Sequence, residues 1–428
     1  MQIKVQSEVD PLRRVIVHRP GPEIVRMTQY ELEPLLFDDI LAADPAGDEH
    51  DLMREILEAE GVEVLEITEL LDAAVHRAPE DQLADLVGRI CDLAGHAHLA
   101  PILLQLERSA LARGLVEGLA WSELPEAPMT LARIRGRQLG TRDMALSPLP
   151  NLMFTRDPCF SLFDRIGMGR MATGARAREP LLVRFALTFA EDEPAPFGFH
   201  QADWDRHPSF RSIEGGDVLV LSERFLLIGC SERTTPQTIE RMAEVFLFPS
   251  FPALERIHAV LMPPKRSVMH LDTVLTQIDR AMFLGHEPMV AQGVDTAVVT
   301  LQRDRPCRLR EGETVLSILD QELGGVILVP CGGDDPLFQR REQWTDGANA
   351  VCLRPGHILL YSRNRRTTET LCQRHGFVEK HLSLGRGDRA QILAEGRRQE
   401  RVVYTFDGAE LSRARGGARC MTMPLIRG

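Results

Sequence analysis

The chain has 428 residues, 44% of them hydrophobic, and a formal net charge of −12. That apolar share can fill a sizeable core, and the negative balance argues against a phosphate-backbone partner, because nucleic-acid binding needs clustered positive charge. No apolar run reaches about 18 residues, so no membrane partner is expected, and the opening MQIKVQSEVDPLRRV has no apolar signal core, which points to the cytoplasm.

The first segment reads as α/β. VIVH at 15–18 is a short apolar run closed by the turn signal RPGPE. DLMREILEAEG at 51–61 is amphipathic at helical spacing, with Asp51 placed to cap the helix and Gly61 to end it, and VEVLEI then alternates as a strand. Residues 75–146 change character. Leu83, Leu86, Val87, Ile90 and Leu93 keep helical spacing, as do Leu111, Leu115, Val116 and Leu119, while β-branched runs are nearly absent. The pattern predicts a helical subdomain inserted at 75–146 into an α/β domain made of 1–74 and 147–428. Short strands return after Pro148: VLVL at 218–221, FLLIG at 225–229, AMFLG at 281–285, VILVP at 326–330 and ILLYS at 358–362. Helical stretches such as TPQTIERMAEVFLF lie between them, with Thr235 in the N-cap position and Pro236 at the first helical residue. One echo is visible: EGGDVLVL at Glu214 and DGANAVCL at Asp346 both place an acid and glycine ahead of a strand, the sign of a repeated unit.

Eight cysteines are scattered along the chain, at 91, 159, 230, 307, 331, 352, 372 and 420, with no CxxC pair, which argues against a disulfide framework or structural zinc. Cys230 and Cys352 sit in apolar runs and read as strand interior. Cys420, in ARGGARCMTMP, allows two readings: a small buried residue on a last strand, or a nucleophile presented by a glycine loop, with arginines nearby to favour the thiolate. Three further polar groups stand out. NLMFTRDP carries Asn151, Arg156 and Asp157, and an apolar run passing into Arg-Asp-Pro suggests a strand end presenting charge. IEGGDVLV sets Glu214 and Asp217 around two glycines that let backbone approach closely. MHLDTVLT holds His270 and Asp272, which would face one side of a strand and suit acid/base work or metal ligation. A zinc site is disfavoured because one soft ligand would join hard ones without a second histidine at zinc spacing.

In order, FTRD, EGGD, ERTT, MHLD and GGARCMTMP resemble the arginine deiminases, as do SEVDPLRRVIVHRPGPE, LLFDDI, REQWTDGANAV and YSRNRRTT. The resemblance covers nearly the whole chain, the 75–146 stretch in character only. It implies a five-bladed α/β propeller, the pentein fold of guanidino-group-modifying enzymes, with ββαβ units around a pseudo-fivefold axis and the active site in the central channel. It implies hydrolysis of L-arginine to L-citrulline and ammonia, with no metal or organic cofactor, by an enzyme that often forms homo-oligomers. Asp157 and Asp272 would hold the guanidinium, Cys420 would attack its carbon to form an S-alkylthiouronium, His270 would serve as acid and then base, and Glu214 would orient it. Asn151, Arg176 and Arg233 would hold the α-carboxylate, with Arg178 competing for the place of Arg176. Arg415 would be a mobile arginine at the entrance, Phe37 would belong to a covering loop, and Asp217 joins the substrate-binding group. One departure is Ala414, where the family usually has glycine near the substrate's α-ammonium; an alanine forced to φ > 0 would cost on the order of 1 kcal/mol. Other readings are a deiminase of another carboxylate-bearing guanidino compound, an amidinotransferase of the same superfamily, and a non-catalytic binder, the last opposed by the presence of Cys420, His270, Glu214 and both aspartates.

Overall fold

Short apolar runs punctuated by Gly-, Pro- and Asp-rich turns fold here as hairpins. A computed structural model describes residues 1–29, 31–124, 129–131, 133–134, 144–199, 211–385 and 387–428. Five sheets in it share one pattern: an antiparallel strand pair, a crossover containing a helix, then a third strand parallel to one of the pair; in four of them the pair is a hairpin. A parallel third strand needs such a crossover, since a tight turn cannot deliver it.

Cys159–Leu162 pairs with Arg165–Met168, and Phe197–Phe199 returns parallel after the helix Glu179–Phe189. Val218–Ser222 pairs with Phe225–Cys230, and Arg256–Leu261 returns after the helix Pro236–Met242; Ala297–Gln302 and Arg305–Leu309 extend this sheet. Leu275–Asp279 pairs with Met282–Gly285, joined by Ile327–Pro330 after the helix Val315–Leu323. Val351–Arg354 pairs with His357–Tyr361, joined by Val402–Phe406, which also carries Val378–Leu382 on its far side. The fifth sheet joins the two ends of the chain: Met423–Arg427 pairs antiparallel with Leu12–Val17, and Glu63–Glu66 returns parallel after the helix Ala43–Ala59.

This topology positions the site. Each strand pair is entered through a short irregular turn, and every polar motif of the sequence sits in one of them. Asn151 and Asp157 precede Cys159–Leu162; Glu214 and Asp217 precede or end at Val218; His270 and Asp272 precede Leu275–Asp279; Asp346 precedes Val351–Arg354; Cys420 precedes Met423–Arg427. The EGGD and DGAN echo therefore marks equivalent turns of two units.

Local structure corrects several expectations. The helix before the second strand begins at Ala43, so Asp51 lies inside it and pairs with Arg19 rather than capping it. Pro45 is tolerated in its first turn because no hydrogen-bonded N–H is needed there, and Gly61, at φ +83°, follows the helix end as expected. Thr235 occupies its N-cap position, but its hydroxyl pairs with Thr238 instead of a helix N–H. NLMF is a 3₁₀ turn, Pro150–Met153, not a strand end. MHLD is not a strand either: extended His270 leads into the 3₁₀ turn Leu271–Thr273.

The helix Ile67–Arg77 packs against both Glu179–Phe189 and Arg108–Glu117, Glu80–Leu93 also meets Glu179–Phe189, and Leu71, Ile90, Leu115 and Leu182 belong to one core. An antiparallel ladder of Leu119–Ala120 with Met144–Leu146 follows. Residues 125–128, 132 and 135–143 of the expected insertion lie outside the described residues. Among the described residues no helix is long and apolar enough to cross a membrane.

Candidate active site

The Cys420 turn is shaped by its glycines. A Cβ on Gly416 would lie 2.2 Å from the Phe154 ring, and one on Gly417 would lie 2.7 Å from Asn349, so both positions require close approach without a side chain. Cys420 is buried; its N–H donates to Asn349 Oδ1 at 3.1 Å and its carbonyl accepts from the Arg156 N–H at 3.1 Å. These bonds aim Sγ at Asp272, 3.7 and 3.9 Å from the two carboxylate oxygens. Burial, then the charges of Asp272, Asp157 and Asp346, push the thiol well above its ordinary range, so it keeps its proton in the empty site.

His270 stands between two carboxylates. Its Nε2 lies 2.9 Å from Glu214 Oε2 and its Nδ1 lies 3.7 Å from Asp157 Oδ1. Burial alone would lower its pKa, but Asp157, Glu214 and Asp217 outweigh burial and raise it to about 10, so the ring is an imidazolium with both nitrogens as donors. Gly216 allows this arrangement, since a Cβ there would lie 2.7 Å from the ring and 3.0 Å from Asp157 Oδ1. Glu214 is fixed through its other oxygen by the Ala172 N–H at 2.9 Å.

Asp157 and Asp272 are each backed by a buried arginine. Arg176 Nη1 donates to Asp157 Oδ2 at 2.6 Å, leaving Oδ1 without a hydrogen-bond partner among the described residues. Burial would raise the Asp157 carboxyl, yet His270 and Arg176 hold it below its ordinary value. Arg419 Nη1 donates to Asp272 Oδ2 at 2.8 Å. The pocket in front of Asp157 is lined by Asn151, Asp157, Arg176, Arg233, His270, Arg415 and Cys420, with Leu36, Phe154, Arg266, Met269, Thr273 and Ala414, while Asp272 is fully buried beside Cys420 and is not on its wall. Four polar atoms on its wall are buried without a hydrogen-bond partner among the described residues: Oδ1 of Asp157, Nε of Arg233, and Nε and Nη1 of Arg415.

The arginine deiminase family profile matches residues 33–427. The chain is 32% identical to the arginine deiminase of Listeria monocytogenes serotype 4b over 434 aligned positions, covering 99% of this chain and 98% of the relative. It is also 32% identical to the arginine deiminase of Listeria innocua, covering 100% and 98%. The chain belongs to the arginine deiminase family. Among solved structures it is similar to the product-bound N-terminal domain of ArgZ, an arginine dihydrolase from the ornithine-ammonia cycle in Cyanobacteria, with a TM-score of 0.51 and 13% identity over 98% of each chain. The shared fold is the mixed α/β pentein architecture of several sheets.

In this family member the residues singled out in sequence fall into three groups. Cys420, His270, Glu214, Asp157 and Asp272 converge as described, and Asn151, Arg176, Arg233 and Arg415 line the same pocket. Arg178 points away and donates to the Ser147 carbonyl, so Arg176 is the arginine that faces the site. Arg176 is nonetheless heavily committed: Nε and Nη2 bind Glu179, and Nη2 also donates to the Asn151 and Phe154 carbonyls. Asp217 and Phe37 are off the wall. Asp217 accepts from the Leu271 N–H at 2.9 Å and the Ser231 hydroxyl at 2.6 Å, bracing the turn that carries His270, and burial raises its carboxyl to about 7. Phe37 is packed in the core, and its neighbour Leu36, at φ 69°, reaches the pocket instead. Ala414 lines the pocket but is not at positive φ; the left-handed residue is Arg415, at φ 67°. Sequence reading missed Glu179, Asn349, Arg266, Arg419 and Glu8. Arg419 adjoins Cys420 and was visible in the motif, whereas nothing local marks Glu8.

Proposed function

We propose that this enzyme hydrolyses the guanidinium of L-arginine to L-citrulline and ammonia, with Cys420 as nucleophile and His270 as acid, then base. The observation carrying this reading is a thiol and an imidazolium on the wall of one pocket, with Asp157 Oδ1 there making no hydrogen bond among the described residues and Asp272 3.7 Å from the sulfur. Asp157 and Asp272 take the guanidinium by charge-assisted hydrogen bonds, which suit its fork geometry. Burial and these carboxylates together hold the proton on Cys420, so a cation bound between the carboxylates offsets their charge and the thiol ionises to solvent as arginine arrives. The thiolate attacks the guanidinium carbon. The C–N bond breaks, its electron pair goes to the departing nitrogen, and the imidazolium gives that nitrogen a proton, releasing ammonia and leaving an S-alkylthiouronium. Neutral His270 then takes a proton from water, the hydroxide adds to the same carbon, and collapse breaks the C–S bond to free citrulline and Cys420. Glu214 keeps the ring oriented throughout.

Arg233, whose Nε makes no hydrogen bond among the described residues and lies 3.7 Å from Glu232 Oε1, is the main anchor for the α-carboxylate, supported by Asn151; Arg176 has one uncommitted N–H and acts chiefly on Asp157. Asn151 Nδ2 donates to the Leu35 carbonyl at 2.6 Å, and Arg266 Nη2 donates to the Leu36 carbonyl at 2.6 Å, which ties the covering loop to the pocket. Arg415 rests with its Cζ 3.3 Å from the centre of the Trp344 ring and closes the entrance when substrate is bound. Asp157, Glu214 and His270 place donor atoms within 4.8 Å of one another, but His270 holds its proton up to about pH 10, so the three work as an ion triad without metal. We read the five ββαβ sheets as five propeller blades around this pocket, with 75–146 as an inserted subdomain, in a cytoplasmic homo-oligomer.

Purified protein in chelator should form citrulline and ammonia from L-arginine, and Cys420→Ala should lose at least about 10³-fold in turnover, about 4 kcal/mol of barrier. Full turnover by Cys420→Ala would exclude the covalent route, and a panel of agmatine, methylarginines and guanidino acids tests the carboxylate requirement.

A further inference from the structure

Behind Asp272 lies a second row of buried charge. Arg419 is 2% exposed, and its side chain reaches in two directions. Nη1 donates to Asp272 Oδ2 at 2.8 Å. Nε and Nη2 form a fork onto Glu8, at 3.2 and 3.1 Å, and Nη2 also donates to the Val218 carbonyl at 3.0 Å. Glu8 is 6% exposed and takes a further N–H from Val220 at 3.2 Å. We propose that Arg419 and Glu8 are positioning residues for the deiminase reaction: the fork of Arg419 on Glu8 fixes Asp272 so that one of its oxygens takes a guanidinium N–H while the Cys420 sulfur meets the guanidinium carbon.

The inference rests on the deiminase reading above and on three observations. Arg419 is the residue before the nucleophile, so one stretch of backbone sets both Sγ and the cation that orients Asp272. Arg156 is buried beside it, with Nε 3.4 Å from the Arg419 carbonyl and Nη2 without a hydrogen-bond partner among the described residues. Two arginines buried side by side repel, and Glu8 supplies the negative charge that lets Arg419 keep its place. Finally, a buried ionic row gives little net stability over well-packed apolar residues, so a fork held at these distances is better explained by the orientation it imposes. Glu8 lies ahead of the residues that the family profile matches, 33–427.

Glu8→Gln keeps the shape of the side chain and weakens the fork; Arg419→Lys keeps the charge and loses the fork. In each variant kcat/KM for L-arginine is expected to fall about tenfold to a hundredfold, as for a reacting group misplaced by about 1 Å, with KM carrying a large share for Glu8→Gln. Alkylation of Cys420 by iodoacetamide in substrate-free protein, followed by mass spectrometry of its peptide, should speed up severalfold as Asp272 drifts from the sulfur. In an Asp272→Asn background, Glu8→Gln should leave that alkylation rate unchanged, which a merely structural role would not produce. Folded variants with wild-type kcat/KM, or an alkylation effect that persists in the Asp272→Asn background, would overturn the proposal. If Arg419→Lys folds poorly, Glu8→Gln carries the test, since it leaves every atom of Arg419 in place. If the wild type does not turn over L-arginine, the deiminase reading fails by itself, and the alkylation cycle still decides whether Glu8 acts through Asp272.

Discussion

Asp157 on the pocket wall and Asp272 beside the Cys420 sulfur are held by matching chains of side chains built from different reaches of sequence. Asp157 is held by Arg176, 19 residues away, and Arg176 by Glu179, three residues further. Asp272 is held by Arg419, 147 residues away, and Arg419 by Glu8 across 411. Their electrostatics are opposite. Burial would raise Glu8, but Arg419, Arg156 and Arg427 surround it and lower it to about 2. Burial also raises Glu179, and there only Arg176 opposes it while Asp157 and Glu214 add to it, so the carboxyl rises to about 7. The same three-residue pattern is thus cation-rich on one arm and anion-rich on the other, because His270 and its carboxylates crowd the Asp157 side.

The largest effects should come from the arms' inner ends. Asp157→Asn and Asp272→Asn should each lower kcat/KM by about 10³-fold or more, since a charged partner of the substrate cation is lost in a buried site. The losses should not be equal. Asp157 also holds the proton on His270, so its removal lowers the His270 pKa from about 10, and the basic limb of the residual pH–rate profile moves to lower pH. Asp272→Asn should leave that limb where it is. Identical profiles for the two variants would mean that the arms are interchangeable.

The outer ends separate the arms by the sign of a pH dependence. Glu8 has a lowered pKa, so its contribution to stability is present above its unfolded value near 4.5 and is lost as pH falls toward 2. Wild type should therefore exceed Glu8→Gln by about 3 kcal/mol at neutral pH from this linkage, and the gap should close on acidification. Glu179 has a raised pKa, so the folded protein takes up a proton between about 4.5 and 7, and wild-type stability falls as pH rises through that window. Relative to wild type, Glu179→Gln should gain stability over the same interval. Urea unfolding at several pH values reads both, and parallel slopes would remove the contrast.

The difference between the arms also explains what sequence could reveal. The Asp157 arm was within reach of local reading, because ARARE places Arg176 and Glu179 three residues apart at the start of a helix; spacing alone does not say that Arg176, on the pocket wall, gives most of its N–H groups to Asp157 and Glu179. The motifs carrying Asp157, Glu214, His270 and Cys420 were legible for a topological reason: each occupies the entry turn of a strand pair, so equivalent turns converge. The strand expected for MHLD failed because alternation over a few residues does not separate a strand from an extended residue followed by a 3₁₀ turn. Glu8 was invisible. A lone acid in SEVD has no local signal, and its partner is brought to it only when the C-terminal strand Met423–Arg427 pairs with Leu12–Val17.

The smallest effect is expected where neither arm reaches. Ala414 lines the pocket and ends the 3₁₀ turn Leu411–Ala414, while the left-handed position falls on Arg415. The methyl therefore costs no backbone strain, and only its volume can matter. Ala414→Gly should change kcat/KM for L-arginine by less than about threefold: the glycine adds chain entropy of about 0.5–1 kcal/mol to the cost of ordering this turn, which opposes any gain from the freed space. Substrates enlarged at the α-amine, such as Nα-methylarginine, should gain severalfold over L-arginine, while those enlarged at the guanidinium should not, if Asp157 and Asp272 hold that end as proposed. A loss above about tenfold on L-arginine itself would mean that the alanine methyl is part of the grip, and that the two arms do not act alone in placing the substrate.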